Sequence, residues 1–304
     1  MAVSCDLWVV LGPTASGKSA LALALARRLK AHILCVDSMQ VYRGMDVGTA
    51  KHSAAEQDQI PHHGIDLANP DETFTVARYV EHAQQTLADC AAQGVAVVAV
   101  GGTPLYYKAL FEGLFQGPPA DEQLRQRLRD SGGAALHQRL AQVDPQAAAR
   151  IHANDLKRLV RALEVYELTG RPISSFHGDW GQLRYPARWL GLSWDRPALN
   201  SRINARVKAM IEAGWIPETE SLLKRFGQLS STAAEATGYR QLIQHLEGRL
   251  SLADAIEAIK IATRQLARRQ IKWFRRFGQV RWIEGTLPLE QQLELALRAP
   301  LVEG

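Results

Sequence analysis

The chain of 304 residues has few cysteines and no long apolar run. Its three cysteines, Cys5, Cys35 and Cys90, are widely spaced and contain no Cys-x-x-Cys pair, so neither a disulfide framework nor a zinc site is predicted. No stretch approaches the roughly eighteen apolar residues needed to span a bilayer. The N-terminus also lacks the basic, apolar and cleavage regions of a signal peptide. We therefore expect a cytoplasmic protein that does not use a membrane.

The most informative motif is a phosphate loop of eight residues near the N-terminus. An apolar run, Leu7–Leu11, precedes the loop, and an alanine- and leucine-rich helical pattern follows it. In such a strand, loop and helix arrangement, backbone N–H groups converge on an anion. Lys18 adds a positive charge there, and the Ser19 hydroxyl is placed to ligate Mg²⁺. The residues predicted to bind linked phosphates are Gly12, Pro13, Thr14, Ala15, Ser16, Gly17, Lys18 and Ser19.

Strand and helix signals alternate over the first hundred residues. Strands are predicted at 7–11, 32–36 and 95–100, with helices at 20–29 and 74–92. This alternation is typical of an α/β fold with a parallel sheet flanked by helices, in which ligands gather beyond the carboxyl ends of the strands. The phosphate loop, Asp37 and the Gly101-Gly102-Thr103 turn should therefore face one site.

The pattern changes after residue 116, where Gly117-Pro118-Pro119 interrupts the chain. Helical signals then continue from 121 to 170, so we predict an inserted all-helical domain at 117–186. The two flanking parts, 1–116 and 187–304, should form the phosphate-loop core. In the second part we expect strands at 188–192 and 280–283, with helices from 200 through 277.

Two further residues are candidates for chemistry at the strand ends. Asp37 follows the second predicted strand, where a carboxylate can take a proton from a nucleophile, orient it, hold Mg²⁺ or simply cap a turn. The later strand ends in Gly101-Gly102-Thr103, without the metal-binding acid usual in nucleotide hydrolases. This absence disfavours a motor or switch NTPase. Thr103 offers a neutral hydroxyl for a substrate, or is an ordinary turn threonine.

The net charge of +5 is concentrated near the C-terminus. Eight basic residues and no acidic one occur from 260 to 281, interleaved with Trp273, Phe274 and Phe277. Five of them recur every four residues, which places them along one face of a helix: Lys260, Arg264, Arg268, Lys272 and Arg276. Such a face suits a phosphate backbone, although a solvated helix face has the same pattern.

These segments together resemble the tRNA dimethylallyltransferase family, also called tRNA isopentenyltransferases or IPP transferases. The resemblance covers nearly the whole chain. It is carried by the phosphate loop and by residues 37–51, 101–103, 154–155, 158, 161–165, 238–240 and 263–270.

The resemblance implies transfer of a dimethylallyl group from dimethylallyl diphosphate to the N6 amine of the adenosine 3′ of a tRNA anticodon, with release of diphosphate. It implies that the phosphate loop holds the diphosphate, Ser19 ligates Mg²⁺, Asp37 is the base and Thr103 assists orientation. It further implies a monomer whose contacts with the anticodon stem-loop come from four segments: Asp37, Ser38, Met39, Gln40; Lys157, Arg158, Leu159, Val160, Arg161; Glu235, Ala236, Thr237, Gly238, Tyr239, Arg240; and Arg268, Arg269, Gln270, Ile271, Lys272, Trp273, Phe274, Arg275.

Two alternatives share parts of this pattern. A kinase acting on a small metabolite or nucleoside also needs a phosphate loop, a strand-end Asp and an inserted helical lid, but it does not need the basic face and it consumes ATP. A non-catalytic RNA-binding protein with a vestigial loop would bind RNA and tolerate replacement of Asp37.

Overall fold

The computed structural model describes residues 5–113, 117–176 and 183–303. Among these residues, no helix combines the length and the apolar character needed to cross a membrane. The predicted domain boundary between residues 116 and 117 adjoins residues 114–116, which lie outside the described residues. Part of the predicted helical insert, residues 177–182, also lies outside them. Two compact units are present, Met1–Phe111 with Leu183–Gly304 as the first and Glu112–Gln182 as the second.

The first unit is built on one sheet of six parallel strands. The strand order is β3-β2-β4-β1-β5-β6. All five residues of β1 and of β4 are buried, as expected for parallel strands covered by helices on both faces. The α/β fold class predicted from the sequence is therefore confirmed. The strands are β1 Leu7–Leu11, β2 His32–Cys35, β3 His62–His63, β4 Val97–Gly101, β5 Arg188–Ser193 and β6 Arg281–Glu284.

Helices cover the sheet, and several begin at side chains that cap free backbone N–H groups. Thr75, Asp195 and Ser251, for example, each accept a hydrogen bond from the third residue after them. The helices of the first unit are α1 Lys18–Leu29, α2 Ala54–Gln59, α3 Val76–Ala92, α4 Pro104–Phe111, α9 Arg196–Glu212, α10 Trp215–Phe226, α11 Ser231–Ala234, α12 Tyr239–Leu246, α13 Leu252–Phe274 and α14 Leu289–Leu297.

The second unit is helical throughout its described elements. Its core is formed by apolar residues such as Leu124, Leu140 and Leu163. The fully buried Glu164 carboxylate accepts hydrogen bonds from the guanidinium groups of Arg125 and Arg161. A buried carboxylate needs such partners. The elements are α5 Glu122–Asp130, α6 Gly133–Val143, α7 Pro145–Ala148, α8 Leu156–Thr169 and a 3₁₀ turn at Ile173–Phe176.

Strand order decides what meets at the carboxyl edge of the sheet. Because β4 lies between β2 and β1, the turn after β4 lies between Asp37 and the phosphate loop. The approach is close: a Cβ on Gly101 would lie 1.9 Å from the Val36 carbonyl oxygen. No side chain fits at that position, so Gly101 is required there.

The structure departs from the expected elements at three places. The edge strand β3 has two residues and is too short to give an alternating signal. The expected helical stretch 200–277 consists of five helices separated by turns. The basic face is shorter than predicted, because α13 ends at Phe274 and Arg276 and Phe277 lie beyond it.

Candidate active site

The phosphate loop connects β1 to the N-terminus of α1. Gly17 caps this helix in the left-handed conformation, with φ of 95°, and no described side chain caps the helix. Ala15 also has a positive φ, of 63°. A helix N-terminus without a side-chain cap presents backbone N–H groups and a partial positive charge. The loop is therefore shaped to bind an anion.

Lys18 provides the positive charge at this loop. Its ammonium group donates a hydrogen bond to the Pro13 carbonyl at 3.3 Å. Burial, reinforced by the nearby Arg206, lowers the pKa of Lys18 to about 8, although Asp37 acts in the opposite direction. The ammonium is thus poorly solvated, which strengthens its attraction for an incoming anion.

Asp37 lies close enough to Lys18 to interact with it electrostatically. Its Oδ1 accepts a hydrogen bond from the Met39 N–H at 2.9 Å, which fixes the turn after β2. A Cβ on Gly102 would lie 3.5 Å from Asp37 Oδ2 and 3.7 Å from Lys18 Nζ. The carboxylate and the ammonium therefore both lie within 4 Å of a single point beside Gly102.

Thr103 forms hydrogen bonds with the turn that contains Asp37. Its Oγ1 accepts a hydrogen bond from the Ser38 N–H at 2.9 Å and donates to Ser38 Oγ at 3.3 Å. The hydroxyl is thus engaged with the protein itself. We infer that Thr103 positions the residues around Asp37.

Gln270 of α13 joins the phosphate loop to the turn after β4. Its side-chain oxygen accepts a hydrogen bond from the Thr14 N–H at 2.8 Å, and its side-chain nitrogen donates to the Gly102 carbonyl at 2.7 Å. Gln270 is 6% exposed, so this amide is shielded from water. The Thr14 N–H is therefore used inside the protein, and the Ser16 N–H donates to the Pro13 carbonyl at 3.2 Å. Ala15, Gly17, Lys18 and Ser19 carry the other N–H groups of the loop that face an anion in such an arrangement.

A cavity of about 250 Å³ opens above these groups. Its floor is polar and includes Lys18, Ser19 and Asp37. One wall is apolar, formed by Ile203, Val207, Met210 and Leu266. The cavity can therefore hold a ligand with a charged end and a short hydrocarbon end.

The oxygen donors on the cavity floor fit a divalent cation. The Ser19 hydroxyl and the Asp37 carboxylate line the same cavity. Hydroxyl and carboxylate oxygens are the hard ligands that magnesium-like cations take, usually together with water and ligand phosphates.

Most of the predicted RNA-contacting residues fall into two groups. Cavity-lining residues are Asp37, Ser38, Met39, Gln40, Glu235, Ala236, Thr237, Arg269 and Gln270. Exposed side chains away from the floor are Lys157, Arg158, Arg240, Arg268, Lys272 and Arg275, with Arg161, Ile271 and Trp273 partly exposed.

Five further predicted residues are buried and do not line the cavity, namely Leu159, Val160, Gly238, Tyr239 and Phe274. Gly238 is closely covered, since a Cβ there would lie 1.9 Å from Trp215 Cη2. These residues support their segments from inside the protein. The exposed members of each segment carry the prediction of RNA contact.

Sequence reasoning missed Arg206, which lines the cavity beside Lys18. Burial lowers the pKa of its guanidinium. Arg202, one turn earlier on α9, donates from Nε to the Ala15 carbonyl of the phosphate loop at 2.8 Å. The sequence signal for these residues was the spacing of Arg202 and Arg206, which are four residues apart and therefore lie on one face of a helix.

Glu218 of α10 was also missed, because no motif surrounds it. Its carboxylate accepts hydrogen bonds from the N–H groups of Asp46, Val47 and Gly48, and from the Tyr239 hydroxyl at 2.6 Å. Burial and this carboxylate raise the pKa of Tyr239. Glu218 thereby fixes the loop that carries Thr49 and Ala50 along the cavity wall.

The fold and the loop after β1 define a phosphate-loop α/β protein. The family model for IPP transferase matches residues 40–277, and the model for isopentenyl transferase matches residues 5–63. The chain belongs to the IPP transferase family, which confirms the resemblance drawn from its sequence.

Individual relatives agree with this assignment. The tRNA dimethylallyltransferase of Geobacter metallireducens is 46% identical over 284 residues, covering 91% of this chain and 92% of that relative. The Symbiobacterium thermophilum tRNA dimethylallyltransferase is 45% identical, with 93% and 90% covered. Among solved structures, the tRNA isopentenylpyrophosphate transferase of Bacillus halodurans is 37% identical, with a TM-score of 0.72 and coverage of 97% and 95%.

The bridge made by Gln270 leads to a prediction. Replacing Gln270 with Leu removes the partner of the partly buried Thr14 N–H and of the buried Gly102 carbonyl, and a buried group left without a partner costs about 1–3 kcal/mol. We expect Gln270→Leu to lower the free energy of unfolding, measured by urea denaturation, by at least about 1 kcal/mol. Gln265→Leu, at an exposed position of the same helix, is the control and should change stability little. Equal effects of the two changes would contradict the bridge.

Proposed function

We propose that this protein transfers the dimethylallyl group of dimethylallyl diphosphate to the N6 amine of the adenosine 3′ of a tRNA anticodon. The observation that carries the proposal is the placement of both Lys18 Nζ and Asp37 Oδ2 within 4 Å of one point beside Gly102. A cation there receives a departing diphosphate, and a carboxylate there receives a proton. The family match favours this activity over the kinase and the vestigial-loop alternatives.

The diphosphate lies on the N-terminus of α1 in this proposal. The backbone N–H groups of Ala15 and Gly17 to Ser19, with the side chains of Lys18 and Arg206, stabilise the negative charge that develops as the carbon–oxygen bond breaks. Ser19 would hold Mg²⁺, which supplies further neutralisation of the diphosphate when bound. The apolar wall of the cavity accommodates the five-carbon chain.

Asp37 acts at the opposite end of the reaction. The adenine N6 nitrogen forms a bond to the first carbon of the dimethylallyl group, and the diphosphate leaves with the electron pair of the broken carbon–oxygen bond. Asp37 takes the proton that the nitrogen loses. Thr103 and the Met39 N–H keep the carboxylate turn in place.

The adenosine must leave its stack in the anticodon loop to reach the cavity, which costs a few kcal/mol. We propose that basic residues on the protein surface offset this cost by contacting the tRNA backbone. The exposed Arg268 and Lys272 of α13, with Lys157 and Arg158 of the helical insert, are the candidates. A monomeric state and a cytoplasmic location stay predictions.

The reaction is tested by mass analysis of nucleosides. We expect undermodified tRNA, incubated with the protein, dimethylallyl diphosphate and Mg²⁺, to contain adenosine heavier by one five-carbon prenyl group. ATP should not be consumed. ATP turnover without this mass gain would support the kinase alternative instead.

The role of Asp37 is tested by Asp37→Asn, which keeps the shape of the side chain and removes the base. We expect the rate of prenyl transfer to fall by about a hundredfold to ten-thousandfold. Affinity for tRNA, measured by filter binding, should change little. Asp71→Asn, at an exposed turn, is the matched control and should transfer at the normal rate. Near-normal turnover by Asp37→Asn would show that another group takes the proton.

The lowered pKa of Lys18 predicts that the binding of dimethylallyl diphosphate depends on pH. A bound diphosphate raises the pKa of Lys18, so binding is strongest below the free-enzyme value of about 8 and weakens as the pH rises above it. We expect the KM for dimethylallyl diphosphate to rise about tenfold per pH unit above that value. Lys18→Arg, which stays charged, should flatten this rise. An unchanged profile in Lys18→Arg would assign the titration to another group.

A further inference from the structure

Three potential metal ligands meet at the edge of the sheet, away from the cavity. They are His32 at the start of β2, His63 on β3 and Cys90 near the C-terminus of α3. Their ligand atoms all lie within 4.8 Å of one another. None of the three lines the cavity described above.

The strand register explains why the two histidines meet. Side chains alternate along a strand, so His32 and Leu34 point to the same face of the sheet. Leu34 pairs with His63, which places His63 on that face as well. Helix α3 covers the face there and brings the buried Cys90 thiol to the pair.

Two of the three ligand–ligand separations match those around one tetrahedral metal, and the third is at most 4.8 Å. His32 Nδ1 lies 3.1 Å from His63 Nε2 and 3.6 Å from Cys90 Sγ. Zinc bonds of about 2.0–2.1 Å to nitrogen and 2.3 Å to sulfur, at tetrahedral angles, separate nitrogens by about 3.3 Å and nitrogen from sulfur by about 3.6 Å.

We propose that His32, His63 and Cys90 bind a borderline-soft divalent cation of the zinc class. Two imidazoles and a thiolate suit Zn²⁺ better than Mg²⁺ or Ca²⁺, which prefer oxygen ligands. Both histidines are partly exposed, so water can take a fourth position. On binding, the Cys90 S–H bond breaks, a sulfur–metal bond forms and the proton passes to solvent.

A further histidine, His82, interacts electrostatically with His63. His82 itself accepts a hydrogen bond from the Gly64 N–H at 3.2 Å and stays outside the ligand set. A cation here would fasten the two-residue strand β3 and helix α3 to β2. We therefore assign the site a stabilising role.

The test titrates the reduced, metal-free full chain with Zn²⁺ in competition with a chromophoric chelator. We expect one tightly bound Zn²⁺ per chain and a rise in Tm, because a ligand that binds the native state stabilises it. Co²⁺ should give the sulfur-to-metal charge-transfer absorption of a thiolate complex.

Two variants remove one ligand each, Cys90→Ser and His32→Gln. We expect each variant to weaken Zn²⁺ binding by at least about a hundredfold, because the loss of an outer-shell partner already costs up to about that much. Cys90→Ser should also abolish the Co²⁺ charge-transfer band. The control is Cys5→Ser, because the Cys5 thiol interacts electrostatically with Cys90 but is not in the ligand set. It should bind Zn²⁺ as the wild type does.

Two results would overturn the site. The first is the absence of a tight one-to-one Zn²⁺ complex in the wild type, which would leave a hydrogen-bonded His–His–Cys group. The second is wild-type affinity for Zn²⁺ in every ligand variant that still melts cooperatively. Neither measurement uses prenyl transfer, so the outcome is independent of the proposed enzymatic activity.

Discussion

The close approach between the end of β4 and the end of β2 is the constraint on which the site depends. Gly101 lies against the Val36 carbonyl so tightly that no Cβ fits between them. This contact brings Gly102 close to both Asp37 and Lys18, and Gln270 then ties the same turn to the phosphate loop. A bulkier residue at 101 would separate the two chemical groups even if both remained present.

Burial gives the charged groups of the cavity their chemical properties. Lys18 and Arg206 are both poorly solvated, and their mutual repulsion is offset in part by Asp37. The diphosphate of the proposed reaction, which carries several negative charges, would supply the negative charge that these residues lack. Such preorganised charge is the usual source of strong electrostatic stabilisation in enzymes.

The walls of the cavity depend on contacts that are remote in the chain. Glu218 binds three successive backbone N–H groups of the 46–48 segment, and the Tyr239 hydroxyl shares the same carboxylate. Gly48 has no room for a side chain, since a Cβ there would lie 2.1 Å from Trp215 Nε1. Helices α10 and α12 therefore shape the loop that lines the cavity.

The sequence by itself determined the sheet, the phosphate loop and the family, because strand alternation and the Gly12 to Ser19 spacing are local patterns. It also singled out Asp37, which follows a strand end. Tertiary structure alone decided the internal roles of Thr103 and Gln270, the presence of Arg206 in the cavity, and the meeting of His32, His63 and Cys90. Each of these depends on strand order and helix packing, which join residues far apart in the chain.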